Sequence, residues 1–173
     1  MTDSTQFSGR PENSTRPESI EDLGTLLSSL PIGDDWDYLL IGDGSATTWE
    51  HQAGWASTLI ERHTGREQTF YGAMSSGTNI VAELMAYVHP FMWLMATSQN
   101  LACKRLHVIT DCKYLPEGAA SQARTNQCLW AAVRAVKSRG LSVKWHWFPR
   151  DIIWLNRWAH DRANAARRAM KHL

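Results

Sequence analysis

The chain has 173 residues, 43% of them hydrophobic and 20% charged, with a formal net charge of +1. This length and composition are typical of one globular domain and exclude a collagen-like or wholly disordered chain. The longest apolar stretch, residues 80–96, is interrupted by Glu83, His89 and Pro90, so we expect no membrane span. Three cysteines without a CxxC pair, and an N-terminus without an apolar signal segment, lead us to expect a cytoplasmic protein.

Charge is distributed unevenly along the sequence. Residues 1–37 contain two Arg against eight Asp or Glu, a net charge of −6. Residues 38–173 contain sixteen Lys or Arg against nine Asp or Glu, a net charge of +7. A basic body fits a polyanionic partner such as nucleic acid, but it fits a solvated Lys and Arg surface equally well. Charge alone does not decide between the two interpretations.

Residues 1–34 are predicted to form a disordered acidic tail, and residues 35–173 the folded domain. The first eighteen residues have hardly any apolar side chains, so they cannot bury enough area to offset the entropy of ordering. Residues 19–30 carry apolar side chains at helical spacing, which predicts a short helix within the tail.

The remaining sequence has the pattern of an α/β domain. Five segments are predicted to be strands: residues 38–41, 53–61, 67–74, 106–110 and 141–148. Three segments are predicted to be helices: residues 78–98, 122–138 and 156–171. The first of these helices begins at Ser76 or Thr78, and Pro90 is expected to kink or break it. The order βββαβαβα predicts a mixed five-stranded sheet of three antiparallel and then two parallel strands, flanked by helices.

Four acidic residues lie at positions where a carboxylate is unusual. Asp43 and Asp111 each follow an apolar strand, Glu83 lies in the most apolar helix, and Asp161 lies beside His160 in the last helix. Singly, each has an ordinary explanation as a turn, a helix-dipole partner, a cap or a surface residue. If the first and fourth strands are neighbours, however, Asp43 and Asp111 lie side by side and require a cation. Oxygen ligands favour Mg²⁺ or Mn²⁺ over zinc.

Five short segments follow one another along the chain, and four of them contain these acids: Asp43-Gly44-Ser45, Gln52–Ala56, Thr78–Ala86, Ile109–Tyr114 and Asn156–Asn164. They resemble the D-G-S, G-x-x-G/A-W, T-N-x-x-x-E-L-x-A, T-D-S-x-Y and N-x-x-A-D-x-x-A-N segments of type 1 ribonuclease H. The resemblance covers roughly residues 37–170. Its most specific part is the third segment, which argues against other nucleases of the same fold, such as a junction resolvase or an integrase.

The resemblance implies a nuclease that cuts the RNA strand of RNA–DNA hybrids with two Mg²⁺ ions, or with Mn²⁺. We expect the protein to be a monomer. By the same resemblance, Asp43 bridges both ions, whereas Glu83 and Asp111 bind the ion on the leaving-group side. One ion then activates the attacking water and the other stabilises the departing 3′ oxygen. Glu83 is expected near the ribose 2′-hydroxyl, the group that distinguishes RNA from DNA.

The fourth ligand is the main departure from the family pattern. The family's aspartate falls on His160 here, and Asp161 is one residue out of register. Adjacent residues on a helix point about 100° apart, so both cannot face one ion. Because imidazole is a poor ligand for Mg²⁺, we predict that Asp161 completes the site, with His160 as the alternative. Loss of the fourth ligand would instead make the chain a binding module that no longer cuts.

Further residues are candidates for contacts with nucleic acid. The resemblance assigns such contacts to Ser45, Thr78 and Asn79. In the loop after the fifth strand, Arg150 followed by an acid stands where many family members carry a catalytic histidine. Trp154, between two apolar residues of this loop, is predicted to pack on a sugar or a base.

Overall fold

The computed structural model describes residues 31–47, 52–98, 100–121, 125–150 and 154–169. These residues form five strands: β1 Tyr38–Ala46, β2 Ala53–Glu61, β3 Glu67–Met74, β4 Arg105–Thr110 and β5 Ser142–Trp147. They also form four helices: α1 Asn79–Thr97, α2 Tyr114–Ser121, α3 Gln127–Ser138 and α4 Trp154–Ala169. Residues 1–30, including the helix predicted over 19–30, lie outside the described part of the chain.

The strands form one mixed sheet in the order β3-β2-β1-β4-β5. Strand β2 is antiparallel to both of its neighbours, β1 and β3, whereas β4 runs parallel to both β1 and β5. The predicted mixed five-stranded sheet is confirmed. Because β1 and β4 are parallel neighbours, their carboxyl ends lie at the same edge of the sheet. Their pairing extends to Ile41 and Ile109, and continuing this register places Asp43 opposite Asp111.

Helix α1 packs on one face of the sheet and forms the centre of the main core. Thr78 is its N-cap, since the hydroxyl accepts a hydrogen bond from the N–H of Val81. By length and apolar composition α1 could cross a membrane, but here it is packed against β1 and β2. Of the kink or break expected at Pro90, the break is wrong. The helix continues to Thr97, because Phe91 and Leu94 are fully buried and tertiary packing outweighs the lost backbone hydrogen bond.

Two helices, not the single predicted helix 122–138, connect β4 to β5. Helices α2 and α3 are joined through Asn126, whose φ of 56° is left-handed. The sequence prediction failed because Pro116 and Gly118 are poor helix formers. Pro116, however, lies in the first turn of α2, where no N–H partner is needed. Gly118 leaves room for the ring of Trp130, which a Cβ at this position would strike.

The segment before β1 belongs to the folded body. Ile32 is 1% exposed and Trp36 is 9% exposed. Both pack with Leu39, Ile41 and other side chains in a second apolar cluster on the face of the sheet opposite α1. The folded domain therefore extends at least to Ile32, past the boundary expected at residue 35.

Candidate active site

Three carboxylates meet at the carboxyl edge of the central strands. Asp43 lies on β1, Glu83 lies near the N-terminus of α1, and Asp111 follows β4 directly. One ligand oxygen from each lies within 4.8 Å of the others. Asp43 and Glu83 are buried, and the side chain of Asp111 is 9% exposed. The structure thus brings together three of the residues that the sequence selected as metal ligands.

Gly44 permits this approach of α1 to β1. A Cβ at Gly44 would overlap the backbone N and Cα of Glu83, so a larger residue would displace the start of the helix. The N–H of Gly44 also donates a hydrogen bond to the Glu83 carboxylate. The glycine after Asp43 therefore sets the distance between the first two carboxylates of the site.

The carboxylates are costly to ionise together. Burial, together with the neighbouring charges of Asp43 and Asp111, raises the pKa of Glu83 well above its ordinary value. Burial and Asp43 also raise the pKa of Asp111, although Arg150 opposes this shift. One oxygen of Asp43, Oδ1, and one of Glu83, Oε2, are buried without a hydrogen-bond partner. Such a cluster is suited to a cation, which would remove the repulsion and occupy the unpaired oxygens.

Arg150 already supplies one positive charge to the cluster. Its Nε lies 2.6 Å from Asp111 Oδ2, and its Nη2 lies 3.6 Å from Asp43 Oδ1. Burial acts to lower the pKa of Arg150, but the two carboxylates outweigh it and raise the pKa. The sequence assigned Arg150 to nucleic acid, whereas the structure places its guanidinium against the carboxylates. The acid that follows Arg150 lies outside the described residues.

His160, on α4, lies beside the cluster, and Asp161 does not. Nδ1 of His160 is 2.7 Å from Asp43 Oδ2, whereas Asp161 is exposed to solvent. The position of α4 follows from close contact with β2, because a Cβ at Gly54 would strike the backbone of Ala163. The helix therefore keeps the register that the sequence indicated, without the one-residue shift that would be needed to bring in Asp161.

A hydrogen-bond relay fixes the orientation of the His160 ring. Asn164 Oδ1 accepts hydrogen bonds from Ser45 Oγ at 2.7 Å and from Arg167 Nη2 at 3.2 Å. Its amide nitrogen therefore faces His160 Nε2, at 2.8 Å. An amide N–H only donates, so Nε2 accepts and the ring proton resides on Nδ1, which donates to Asp43. Both ring nitrogens of His160 are thus engaged.

The residues predicted at the helix start have local partners. Asn79 Oδ1 accepts a hydrogen bond from the N–H of Ala46, and Thr78 caps α1. Both are exposed at the positive end of the α1 dipole, and Ser45 is held in the relay to Asn164. Trp154 is the first residue of α4, and its side chain lies outside the described part of the chain.

Tyr87 is a site residue that sequence reasoning missed. Its hydroxyl lies 2.6 Å from the carbonyl O of Gly42 and 2.9 Å from that of Ile109. These carbonyls are located where the pairing of β1 and β4 ends, because Gly42 directly precedes Asp43 and Ile109 lies two residues before Asp111. Burial, and then the charge of Glu83, raises the pKa of Tyr87 well above its ordinary value. The tyrosine therefore ties together the two strand ends that carry Asp43 and Asp111.

No protein-family model matches the sequence, and no curated protein matches it either. Solved structures do resemble it. The N-terminal RNase H domain of a Mycobacterium tuberculosis protein is 18% identical, with a TM-score of 0.65 over 78% of this chain and 96% of that chain. LC11-RNase H1, isolated from compost by a metagenomic approach, was solved in complex with an RNA/DNA hybrid. It is 16% identical, with a TM-score of 0.65 over 77% of this chain and 98% of that chain.

RNase H1 from the archaeon Halobacterium salinarum is also similar. It is 16% identical, with a TM-score of 0.58 over 75% of this chain and 96% of that chain. At these identities the likeness establishes the architecture. The chain has the ribonuclease H fold, as its sequence motifs predicted.

Proposed function

We propose that this protein is a metal-dependent endonuclease that hydrolyses the RNA strand of RNA–DNA hybrids. The observation that carries the proposal is the grouping of Asp43, Glu83 and Asp111 at the carboxyl edge of a ribonuclease H fold. Fold alone does not specify chemistry, so the argument rests on what these residues can bind and do.

The three carboxylates fit divalent cations. They supply only oxygen ligands, their mutual repulsion favours positive charge, and Asp43 Oδ1 and Glu83 Oε2 have no hydrogen-bond partner. In this proposal Asp43, Glu83 and Asp111 would hold two Mg²⁺ ions, or Mn²⁺. When bound, such ions lower the pKa of a water and stabilise the leaving oxygen of an in-line displacement. The three side chains hold the site in a largely buried position at the edge of the sheet.

We assign His160 to positioning Asp43 and not to binding a metal. Its Nδ1 proton is directed at Asp43 Oδ2, and its Nε2 is occupied by the Asn164 amide. A donor at this place fixes one oxygen of Asp43 and leaves Oδ1 for a cation. Asp161, the residue predicted to complete the site, is exposed outside this arrangement. We therefore propose a three-carboxylate centre.

The choice of an RNA–DNA hybrid as substrate has two supports. One similar structure, LC11-RNase H1, was solved with an RNA/DNA hybrid. In this chain, the exposed Thr78 and Asn79 lie at the N-terminus of α1, near Glu83, where backbone N–H groups attract phosphate.

A metal-titrated cleavage assay tests the proposal. Matched 5′-labelled RNA–DNA hybrid, RNA duplex and DNA duplex of one sequence are incubated with the full chain in Mg²⁺ or Mn²⁺. We expect cleavage of the RNA strand of the hybrid alone, abolished by EDTA. Asp43→Asn should lower the rate by about 10³-fold, because catalytic groups that act together are lost together. Asp161→Asn, a matched change at an exposed carboxylate, should cut at nearly the wild-type rate.

One observation favours a second candidate, a hybrid-binding module that does not cut. Arg150 and His160 both contact Asp43, so the protein's own donors already offset part of the negative charge of the cluster. In that case the chain would bind the hybrid equally well with and without Mg²⁺, and no metal would yield product. Cleavage of a DNA duplex or a branched DNA in place of the hybrid would instead indicate another nuclease activity of the same fold.

A further inference from the structure

An exposed tryptophan lies at the rim of the carboxylate cluster. Trp147, the last residue of β5, is 39% exposed. Among the tryptophans whose side chains the structure describes, Trp147 is the most exposed to solvent. Trp36, Trp55 and Trp130, by contrast, are at most 9% exposed. A single exposed aromatic ring is not unusual by itself. Its location and its partners distinguish this one.

The indole is anchored to a residue of the site. Trp147 Nε1 donates a hydrogen bond to the carbonyl O of Asp111 at 2.9 Å. Trp147 also pairs with Thr110 in the parallel register of β4 and β5, directly before Asp111. The ring is therefore held in a fixed orientation beside the cluster, with little entropy left to lose when a ligand packs against it.

A lysine is held over the same ring. Lys113 Nζ lies 4.6 Å from the centroid of the Trp147 ring, within the range of a cation–π interaction. Lys113 is exposed, and within the described residues no carboxylate forms an ion pair with it. Arg150, on the same side of the cluster, is already engaged with Asp43 and Asp111.

Trp147 and Lys113 can offset the repulsion between the carboxylate cluster and a nucleic acid. Three clustered carboxylates repel the phosphates of any strand that approaches them. A cation at the rim reduces this repulsion, and an aromatic face beside it provides a surface on which a base or a sugar can pack irrespective of sequence.

We propose that Trp147 and Lys113 form a nucleotide-binding surface next to the carboxylate cluster. When the substrate binds, Lys113 Nζ moves from the ring to pair with a phosphate, and the base or sugar of one nucleotide packs on the indole face that the lysine leaves. The identity of the ligand, an RNA–DNA hybrid, rests on the proposed function. The role of the two side chains in binding can be tested separately from cleavage. The side chain of Trp154, which the sequence predicts to make such a contact, lies outside the described residues.

Binding is measured by fluorescence anisotropy with a labelled RNA–DNA hybrid, using the full chain with Asp43→Asn so that no cleavage occurs. Trp147→Leu should raise Kd by about 5- to 10-fold, because it removes the aromatic face on which a base stacks. Trp147→Phe should stay within about 3-fold, because it keeps an aromatic face. Both variants lose the indole N–H and with it the hydrogen bond to the carbonyl O of Asp111. An equal rise in Kd for the two variants would therefore assign the effect to that hydrogen bond and overturn the proposal.

The lysine is tested by the salt dependence of Kd. Lys113→Gln should reduce the slope of log Kd against log salt by about 0.9, the value for one phosphate contact. Lys144→Gln removes the same charge from the opposite face of β5 and serves as the control. An unchanged slope for Lys113→Gln, or a wild-type Kd for Trp147→Leu, would refute the surface.

Cleavage by the chain with Asp43 intact is measured in parallel. If that chain cuts the hybrid while the Trp147 and Lys113 variants bind normally, only the surface is wrong. If it cuts nothing while Trp147→Leu still weakens binding, the surface stands and the proposed activity is wrong. If the hybrid does not bind at all, both are wrong.

Discussion

His160 contacts Asp43 through a hydrogen bond of 2.7 Å that joins the last helix to the central strand. The relay through Asn164 and Ser45 directs the ring proton onto Nδ1, so His160 donates to the carboxylate. A donor to a metal-ligating carboxylate orients it and selects which oxygen remains available. His160, where the sequence register places the fourth ligand, is thus hydrogen-bonded to Asp43. Variants of His160 should therefore differ in activity according to whether they keep a donor at this place.

We predict that His160→Asn will be milder than His160→Ala. The Asn amide can still donate toward Asp43 Oδ2, whereas Ala leaves that oxygen unpaired, so we expect His160→Ala to lose about 10-fold more activity. His160→Asp should bind Mg²⁺ more tightly than wild type, because it exchanges a donor for a further carboxylate. Cleavage rates and calorimetric titration with Mg²⁺ measure both effects.

Asp161→Asn is the control for these variants, since Asp161 is exposed on the adjacent position of α4. A severe loss from Asp161→Asn, with a mild loss from His160→Ala, would contradict the assignment and restore Asp161 as a ligand.

The grouping of Asp43, Glu83 and Asp111 could be predicted from the sequence, because each acid is conspicuous within its own segment and the order of the elements indicates which strands are neighbours. Asp43 and Asp111 each lie at the end of an apolar strand, and Glu83 is the single acid of an apolar helix. The parallel pairing of β1 with β4 then brings the carboxylates together. His160 was also indicated by register. The preference for Asp161 rested on the affinity of Mg²⁺ for oxygen, which carries no information on how α4 packs against Gly54.

Other parts of the site depend on long-range contacts that no sequence pattern encodes. In the sequence Tyr87 is indistinguishable from the other apolar positions of α1. The carbonyls that its hydroxyl contacts, those of Gly42 and Ile109, lie 45 and 22 residues away along the chain. Trp147 is one of nine tryptophans, and only the structure distinguishes it by its hydrogen bond to Asp111. Helix α2 was missed because its packing of Gly118 against Trp130 overrides weak local propensity.

Tyr87→Phe is predicted to destabilise the protein and to weaken its metal binding. Removing the hydroxyl leaves the buried carbonyls of Gly42 and Ile109 without this donor, at a cost of about 1–2 kcal/mol in the free energy of unfolding. Because these carbonyls precede Asp43 and Asp111, we also expect the affinity for Mg²⁺ to fall. Urea unfolding and calorimetry measure the two effects.

Tyr114→Phe is the matched control, because its hydroxyl pairs with Thr125 at an exposed position. It should change stability by less than about 0.5 kcal/mol. Equal stability losses from the two variants would show that the buried bridge has no special role.

Acid is predicted to destabilise the fold through a pair of histidines on β4 and β5. The rings of His107 and His146 lie 4.8 Å apart. Burial, and then the neighbouring His107, lowers the pKa of His146 to about 4 from an ordinary value of 6.5. Burial also lowers the pKa of His107, against the opposing charge of Asp35.

Between pH 4 and 6.5 the unfolded chain binds more protons at His146 than the folded protein does, so stability rises with pH. This contribution is complete above pH 6.5 and is lost as the pH falls toward 4. We expect the urea midpoint to drop between pH 7.5 and 5, and His146→Gln to reduce that drop. A drop for His146→Gln as large as that of the wild-type protein would contradict the role of this histidine pair.

The last prediction concerns where the folded domain begins. Deleting residues 1–30 removes two Arg and five Asp or Glu and leaves the described contacts intact. We expect cooperative unfolding at an unchanged urea midpoint, and equal or tighter binding of the hybrid at low salt, because an acidic segment competes with phosphate. Deleting residues 1–34 also removes Ile32, which is 1% exposed and packs with Trp36 and Ile41.

The longer deletion should therefore lower the free energy of unfolding by about 2–4 kcal/mol, and Ile32→Ala in the full chain should reproduce most of that loss. Pro31→Ala, at the exposed preceding residue, is the control and should have little effect. A midpoint for the longer deletion equal to that of the shorter one would place the boundary back at residue 35. A loss already complete with the deletion of residues 1–30 would show that the N-terminal thirty residues contribute to the core.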